Sequence, residues 1–328
     1  MSERRDVQQR LLAILVIVGL FVLPIKAITQ DFPTKPITIY CGYEAGATVD
    51  LTTRGVANEA EKVLGVPIVI ENHAGGSGAV AATLLASKKP DGYILAAVPT
   101  AQLILVSLMV PVTFDPLKDF AFIATSVKNN GGICVRNDSP FKTLQDLIEY
   151  ARKNPRVLSY SSTGVGGPTT LVMELLAKQA NVKFKHVPYK GGAPATTALM
   201  GGHVDFTAGA GIHRKYVKQG IFRMLAVTLT DERDPEFPDI PTMKDLGYED
   251  LPPNTHMVFA PKGLPDPISK KLEAAFVKAA DSPEFRKLAL SLGLQPTIKN
   301  RHQLETGFPS DFQYYAKFLK EIGLEKKK

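Results

Sequence analysis

The feature that most constrains this chain is a device that occurs twice: a short β-rich run, a glycine-bearing loop and a helix-like stretch in direct succession. The first copy runs from Pro36-Ile37-Thr38-Ile39-Tyr40-Cys41 through Gly42-Tyr43-Glu44-Ala45-Gly46-Ala47-Thr48 into a helical stretch ending near Leu64. The second runs from Val157–Ser161 through Ser162-Thr163-Gly164-Val165-Gly166-Gly167 into a helix over Pro168–Ala180. Small residues let backbone come close to a ligand. A helix start presents unpaired N–H groups and a partial positive charge. Each copy is therefore a candidate anion site that needs no charged side chain.

The candidate ligand-binding residues follow from this. In the first loop they are Tyr43, Ala45, Gly46, Ala47, Thr48 and Asp50. In the second they are Thr163, Gly164, Gly166, Gly167 and Thr169, with the threonine hydroxyls adding donors. Tyr43, Thr100 and Tyr189 are expected to shape the remaining pocket, with Ala210 completing the set. Asp50 has two readings. It stands in the first turn of a helix, four residues before Arg54, a spacing that stabilises a helix locally. It can equally fix the loop or meet a ligand amine. Tyr43 is either a pocket wall or a packed edge residue.

Strand-like and helix-like segments alternate along the rest of the chain. Val66–Glu71 reads as a strand, Gly76–Lys88 as a helix ended by the turn Lys89-Pro90-Asp91-Gly92, and Tyr93–Val98 as a strand. A second series begins near Gly132, and Thr143-Leu144-Gln145-Asp146 resembles a capping box. Such alternation predicts α/β architecture, with mostly parallel sheets flanked by helices. Asp231–Pro253 is turn-rich, with five prolines, and reads as a surface connection. A strand at Met257–Ala260 then suggests a return to the first lobe. The expected organisation is a signal peptide at 1–27, lobe 1 from 28–131 with 254–328, lobe 2 at 132–253, and a hinge at the two crossovers.

Residues 1–27 have a basic start (Arg4, Arg5, Arg10) and an apolar run from Leu11 to Leu23 broken only by Gly19. The run is shorter than the roughly 20 residues of a membrane-spanning helix. It reads as an export signal cleaved after Ala27, hence a periplasmic protein, with an uncleaved anchor as the alternative. The net charge is +7, of which residues 1–27 carry +2, and no basic stripe of the kind nucleic acid needs is present. Cys41 and Cys134 both fall in apolar segments. Buried free thiols are the simpler reading, and export makes a disulfide chemically permissible.

Enzyme readings find less support. Gly76-Ser77-Gly78-Ala79-Val80-Ala81 has the spacing of a dinucleotide fingerprint, but Asp91, the next acidic residue, lies in a turn. The six histidines show no metal-ligand spacing, no serine has the nucleophile-elbow context, and no cofactor is implied.

On five ordered motifs the chain resembles the extracytoplasmic solute receptors of tripartite tricarboxylate transporters, the Bug family. They are Tyr43–Asp50 with Arg54; Glu71-Asn72-His73-Ala74-Gly75-Gly76-Ser77-Gly78; Pro90-Asp91-Gly92-Tyr93; His186-Val187-Pro188-Tyr189-Lys190-Gly191-Gly192; and Gly201-Gly202-His203-Val204-Asp205. The resemblance implies a type II periplasmic-binding fold that closes on its ligand. It also implies carboxylate recognition by the two loops, delivery to two membrane subunits and a non-catalytic, monomeric receptor. A subunit that senses the ligand for a signalling partner is the alternative, and a nucleotide-dependent enzyme a further one. Against the family pattern, Ala47 replaces a glycine, Tyr43 a phenylalanine, Gly167 a common serine and Thr170 a common histidine. The Ala47 change is expected to narrow backbone freedom, and Gly167 removes a hydroxyl.

Overall fold

A computed structural model of the chain describes residues 32–324 apart from 163, 165, 190, 191, 212 and 231. The expected signal peptide and Thr163 lie outside the described residues.

In chain order the first strands are β1 (Ile37–Cys41), β2 (Ile68–Asn72), β3 (Ile94–Pro99) and β4 (Phe120–Lys128). Between them lie helices α1 (Thr48–Leu64), α2 (Ala79–Ala86) and α3 (Thr100–Met109). The chain then builds β5 (Gly131–Arg136), α4 (Leu144–Lys153), β6 (Ser159–Ser162), α5 (Pro168–Ala180) and β7 (Lys185–Pro188). It continues with α6 (Gly192–Met200), β8 (Phe206–Ala210), α7 (Arg214–Lys218) and β9 (Phe222–Thr228). Finally come β10 (Thr255–Pro261), α8 (Asp266–Asp281), α9 (Pro283–Ser291), β11 (Gln295–Pro296) and α10 (Arg301–Glu321).

The strands form two sheets, ordered β11-β4-β10-β3-β1-β2 and β7-β6-β8-β5-β9. Both are mixed rather than mostly parallel. The pairs β2–β1 and β1–β3 are parallel, as are β7–β6 and β6–β8. The pairs made by β10 and by β5 are antiparallel. The reason is topological. Strands within a βαβ unit must run the same way, whereas β5 and β10 are the strands on which the chain arrives from the other sheet.

Local sequence accounts for the site-bearing helices. The first, α1, buries Val49, Val56, Ala57, Ala60 and Leu64 on one stripe and ends at Gly65 in the left-handed region. Pro168 stands in the first turn of α5, where its missing N–H costs nothing. The Thr143–Asp146 capping box of α4 is present in both directions. An apolar cluster packs on each sheet. Helix α5 feeds both: Leu171, Val172 and Leu175 enter the first, and Met173 and Leu176 the second. Cys41 in β1 and Cys134 in β5 are buried free thiols on different sheets, which resolves that alternative.

The chain passes between the sheets twice. Asn129 and Asn130 join β4 to β5, and 229–254 join β9 to β10. The two passages touch, because Asn129 N–H donates to the Asn254 carbonyl at 3.0 Å.

Candidate functional site

The first loop is held from behind by a buried carboxylate. Asp50, 1% exposed, accepts the Gly46 amide at 2.9 Å, Arg54 Nε at 3.0 Å and Asn72 Nδ2 at 2.8 Å. Asn72 also donates to the Tyr43 carbonyl at 2.8 Å, and Arg54 Nη2 reaches Asn72 Oδ1 at 2.9 Å. Burial opposes ionisation of Asp50, but hydrogen bonds from Arg54, Asn72 and Gly46 outweigh it and hold the carboxyl below its usual range. Of its two sequence readings, fixing the loop is the one the geometry displays. Gly46 has φ +82°, a conformation that favours glycine. Ala47 has φ −66° and ψ 156°, ordinary extended backbone. The expected loss of freedom at Ala47 is therefore not felt, since no glycine is required there.

The amides of Gly46 and Ala47 are engaged inside the loop, the second with the Glu44 carbonyl at 3.1 Å. The donors that α1 turns outward begin at Thr48, and no side chain caps this helix.

The second loop has an anchor of a different kind. Thr170 Oγ1 lies 2.5 Å from the Gly164 carbonyl oxygen and 2.9 Å from Ser162 Oγ. Ser162 Oγ lies 2.7 Å from His186 Nε2. Burial pushes the His186 pKa down, which favours the neutral ring beside these hydroxyls. Gly166 is left-handed (φ +72°), whereas Gly167 at φ −79° and ψ 167° is extended and caps α5 without a side chain.

The two helix starts meet at a cavity of about 300 Å3. Tyr43, Ala47 and Thr48 line it from the first loop, and Pro168, Thr169 and Gly192 from the second sheet's helices. The crossovers and their neighbours close it with Asn129, Leu229, Asn254 and His256. His256 is buried, with a pKa pushed down to about 4 by desolvation, so it is neutral near pH 7. Asn129 Nδ2 lies 3.2 Å from its Nε2, and Thr52 Oγ1 2.8 Å from its Nδ1. With Asn129 donating, Nε2 is the acceptor and the ring proton sits on Nδ1. Asn254 Oδ1 accepts the Ala101 amide at 3.1 Å and so caps α3.

A second compartment of about 470 Å3 adjoins the first and shares Tyr43, Gln102 and Pro168 with it. Gln102 Oε1 is buried at this border and has no partner.

The sequence-derived candidates distribute as follows. Tyr43, Ala47, Thr48 and Thr169 line the smaller cavity, and Gly164, Gly166 and Gly167 the larger. Ala45 and Gly46 are exposed and line neither. Thr100 is buried, accepting the Thr255 amide at 3.1 Å, rather than facing the cavity. Tyr189 packs beside the small apolar cluster around Phe222. The backbone of Ala210 lies opposite Gly131 in the second sheet. Sequence reasoning missed Gln102, Asn129, Asn254 and His256. The histidine His256, directly before the apolar run Met257–Ala260, was the one available signal.

Two α/β sheets crossed twice by the chain, with helix starts from each side converging on a cavity between them, define a solute-binding protein of the two-lobed kind. The chain belongs to the family described as "Tripartite tricarboxylate transporter family receptor", whose model matches residues 52–324. It is 36% identical to a UPF0065 protein encoded in the gbd 5' region of Cupriavidus necator, over 94% of each chain. Among solved structures it is similar to a TctC solute-binding protein from Polaromonas, with 25% identity, a TM-score of 0.80 and 88% and 99% of the two chains covered. It is also similar to an R. palustris protein solved with adipate, with 27% identity, a TM-score of 0.77 and 90% and 100% covered.

Proposed function

We propose that this protein is an exported, periplasmic receptor that captures a small organic carboxylate between its two sheets and presents it to the membrane subunits of a tripartite transporter. The observation that carries this is the convergence of the α1 and α5 starts on one cavity. Helix N-termini supply N–H donors and partial positive charge to an anion without a cationic side chain. Thr48 and the α1 amides after it hold one side, and Thr169 with the start of α5 the other. Tyr43 offers its ring and hydroxyl. Lobe 1 comprises 28–131 with 254–328, lobe 2 comprises 132–253, and the Asn129 and Asn254 passages form the hinge. Adipate in the R. palustris relative supports a carboxylate as the ligand class. The receptor performs no chemistry on its cargo.

Thermal-shift screening of the purified protein against carboxylates, neutral sugars and cations tests this. A carboxylate present at 100 times its Kd is expected to raise the melting temperature by about 5 °C. A shift with sugars or cations and none with any carboxylate would overturn the proposal.

A further inference from the structure

We infer that the preferred ligand is a monocarboxylate with an apolar tail, the carboxylate sitting at the helix starts and the tail in the adjoining compartment. This rests on the carboxylate function proposed above and adds the class of acid.

The two compartments adjoin at Tyr43, Gln102 and Pro168, which line both, and the inferred ligand spans that border. They differ in chemistry. The smaller carries the polar side chains of Thr48, Asn129, Thr169, Asn254 and His256 beside the apolar Val49, Pro99 and Leu229. The larger is walled on one side by Leu105, Val106, Met109 and Val110 of α3 and the residue after it. That helix is apolar on its inner face too, where Leu103 and Ile104 are fully buried. Leu105 and Val106 are themselves nearly buried, and exposure rises toward the end of the helix, with Val110 just beyond it 46% exposed.

The rest of the lining is the side-chain-free Gly76, Gly164, Gly166 and Gly167, with Pro168 and the polar side chains of Tyr43, Ser77 and Gln102. A Cβ on Gly167 would meet nothing within 4 Å, so the room there is real. The Met109 methyl lies 2.8 Å from where a Cβ on Gly166 would stand, so the loop and α3 already meet at one end. No charged residue stands among the described residues lining this compartment. An alkyl or aryl group placed here leaves water for apolar contacts. A second carboxylate would lose its hydration to a compartment whose described polar side chains are those of Tyr43, Ser77 and Gln102, fewer than the smaller cavity offers. The chain should therefore discriminate against dicarboxylates such as adipate.

Calorimetric titration of the purified protein with butanoate, hexanoate, 3-phenylpropionate, succinate and adipate tests the inference. Hexanoate and 3-phenylpropionate are expected to bind at least about 10-fold more tightly than adipate. From butanoate to hexanoate, affinity should rise about 3- to 4-fold per methylene. Equal or tighter binding of adipate would overturn the tail while leaving carboxylate capture intact. Binding of none of these acids, with sugars or cations binding instead, would overturn both.

Met109→Lys places a cation in the apolar wall and is expected to reverse the order, with adipate gaining. A gain of affinity cannot arise from misfolding. A folded M109K protein that keeps the parent order would overturn the placement of the tail against α3. Gly167→Leu fills the compartment and provides the second variant. It should weaken hexanoate about 10-fold more than butanoate, and equal effects on the two acids would count against the inference.

Discussion

Asn129 donates its backbone amide to the carbonyl of Asn254 at 3.0 Å, and the side chains of both residues border the same cavity. The outgoing and returning passages between the sheets are thus joined at the point where they form the cavity floor. From there Asn254 reaches the start of α3 and Asn129 reaches His256. One residue from each crossover therefore helps organise a helix start, a neutral imidazole and a wall.

Removing the Asn254 side chain should disturb several of these at once. Asn254→Ala leaves the buried Ala101 amide without its acceptor, an expected cost of about 1–2 kcal/mol in urea unfolding. Ligand affinity should fall several-fold as α3 loosens. Unchanged stability would mean that the cap is replaceable by water.

Asp50→Ala is expected to cost about 2–3 kcal/mol, since a buried carboxylate with charge-assisted hydrogen bonds is lost and Asn72 loses a partner. The pH dependence has a definite sign. The folded carboxyl is held below its unfolded value, so its contribution is complete above the unfolded pKa and disappears as pH falls through the folded one. The variant should lose that acid-side decline, as read by denaturant melts below pH 4.

The neighbouring pair Gly46 and Ala47 gives a matched test. Gly46→Ala forces a side chain into φ +82° and should destabilise by about 1 kcal/mol, with no clash because nothing lies within 4 Å. Ala47→Gly should also destabilise, by about 0.4–1 kcal/mol, because Ala47 is already in an extended conformation and glycine only frees the unfolded chain. A stabilising Ala47→Gly in thermal melts would show that the loop wants the second glycine after all.

His256 should make the protein sensitive to mild acid. Its folded pKa of about 4 lies below the ordinary histidine value, so the unfolded chain binds the extra proton first. Stability is full above about pH 6.5 and declines toward pH 4, with about 2 kcal/mol lost to this residue by pH 5. His256→Gln should flatten the profile between pH 7 and 5 in urea melts. A parallel profile would place the acid sensitivity elsewhere.

Much of the architecture was legible because its signals are local. Pro168 with the following apolar residues marked α5 to its observed ends, and Thr143 with Asp146 announced α4. Helix α3 went unread: Thr100–Met109 is mostly apolar, and its few polar residues, Thr100, Gln102 and Ser107, fall on no single face, so it shows no clear period to separate helix from strand. The direction of β5 and β10 was hidden as well, because it depends on which sheet the chain comes from. At the site, the two loops were visible as glycine patterns. Their anchors were not, since Asp50 with Asn72 and Thr170 with Ser162 and His186 are brought together only by folding. Thr100 and Tyr189 show the converse: residues of suitable chemistry and position whose observed partners lie in the packing.

Gly167 holds an extended conformation that any residue can adopt, and it faces open space at the rim of a helix start. One codon change there alters the shape and polarity of the cleft without stressing the backbone that supports it. Cargo preference can thus drift rapidly between relatives that keep the same scaffold. For the same reason the position is a natural first choice for recasting this protein as a biosensor tuned to a chosen acid.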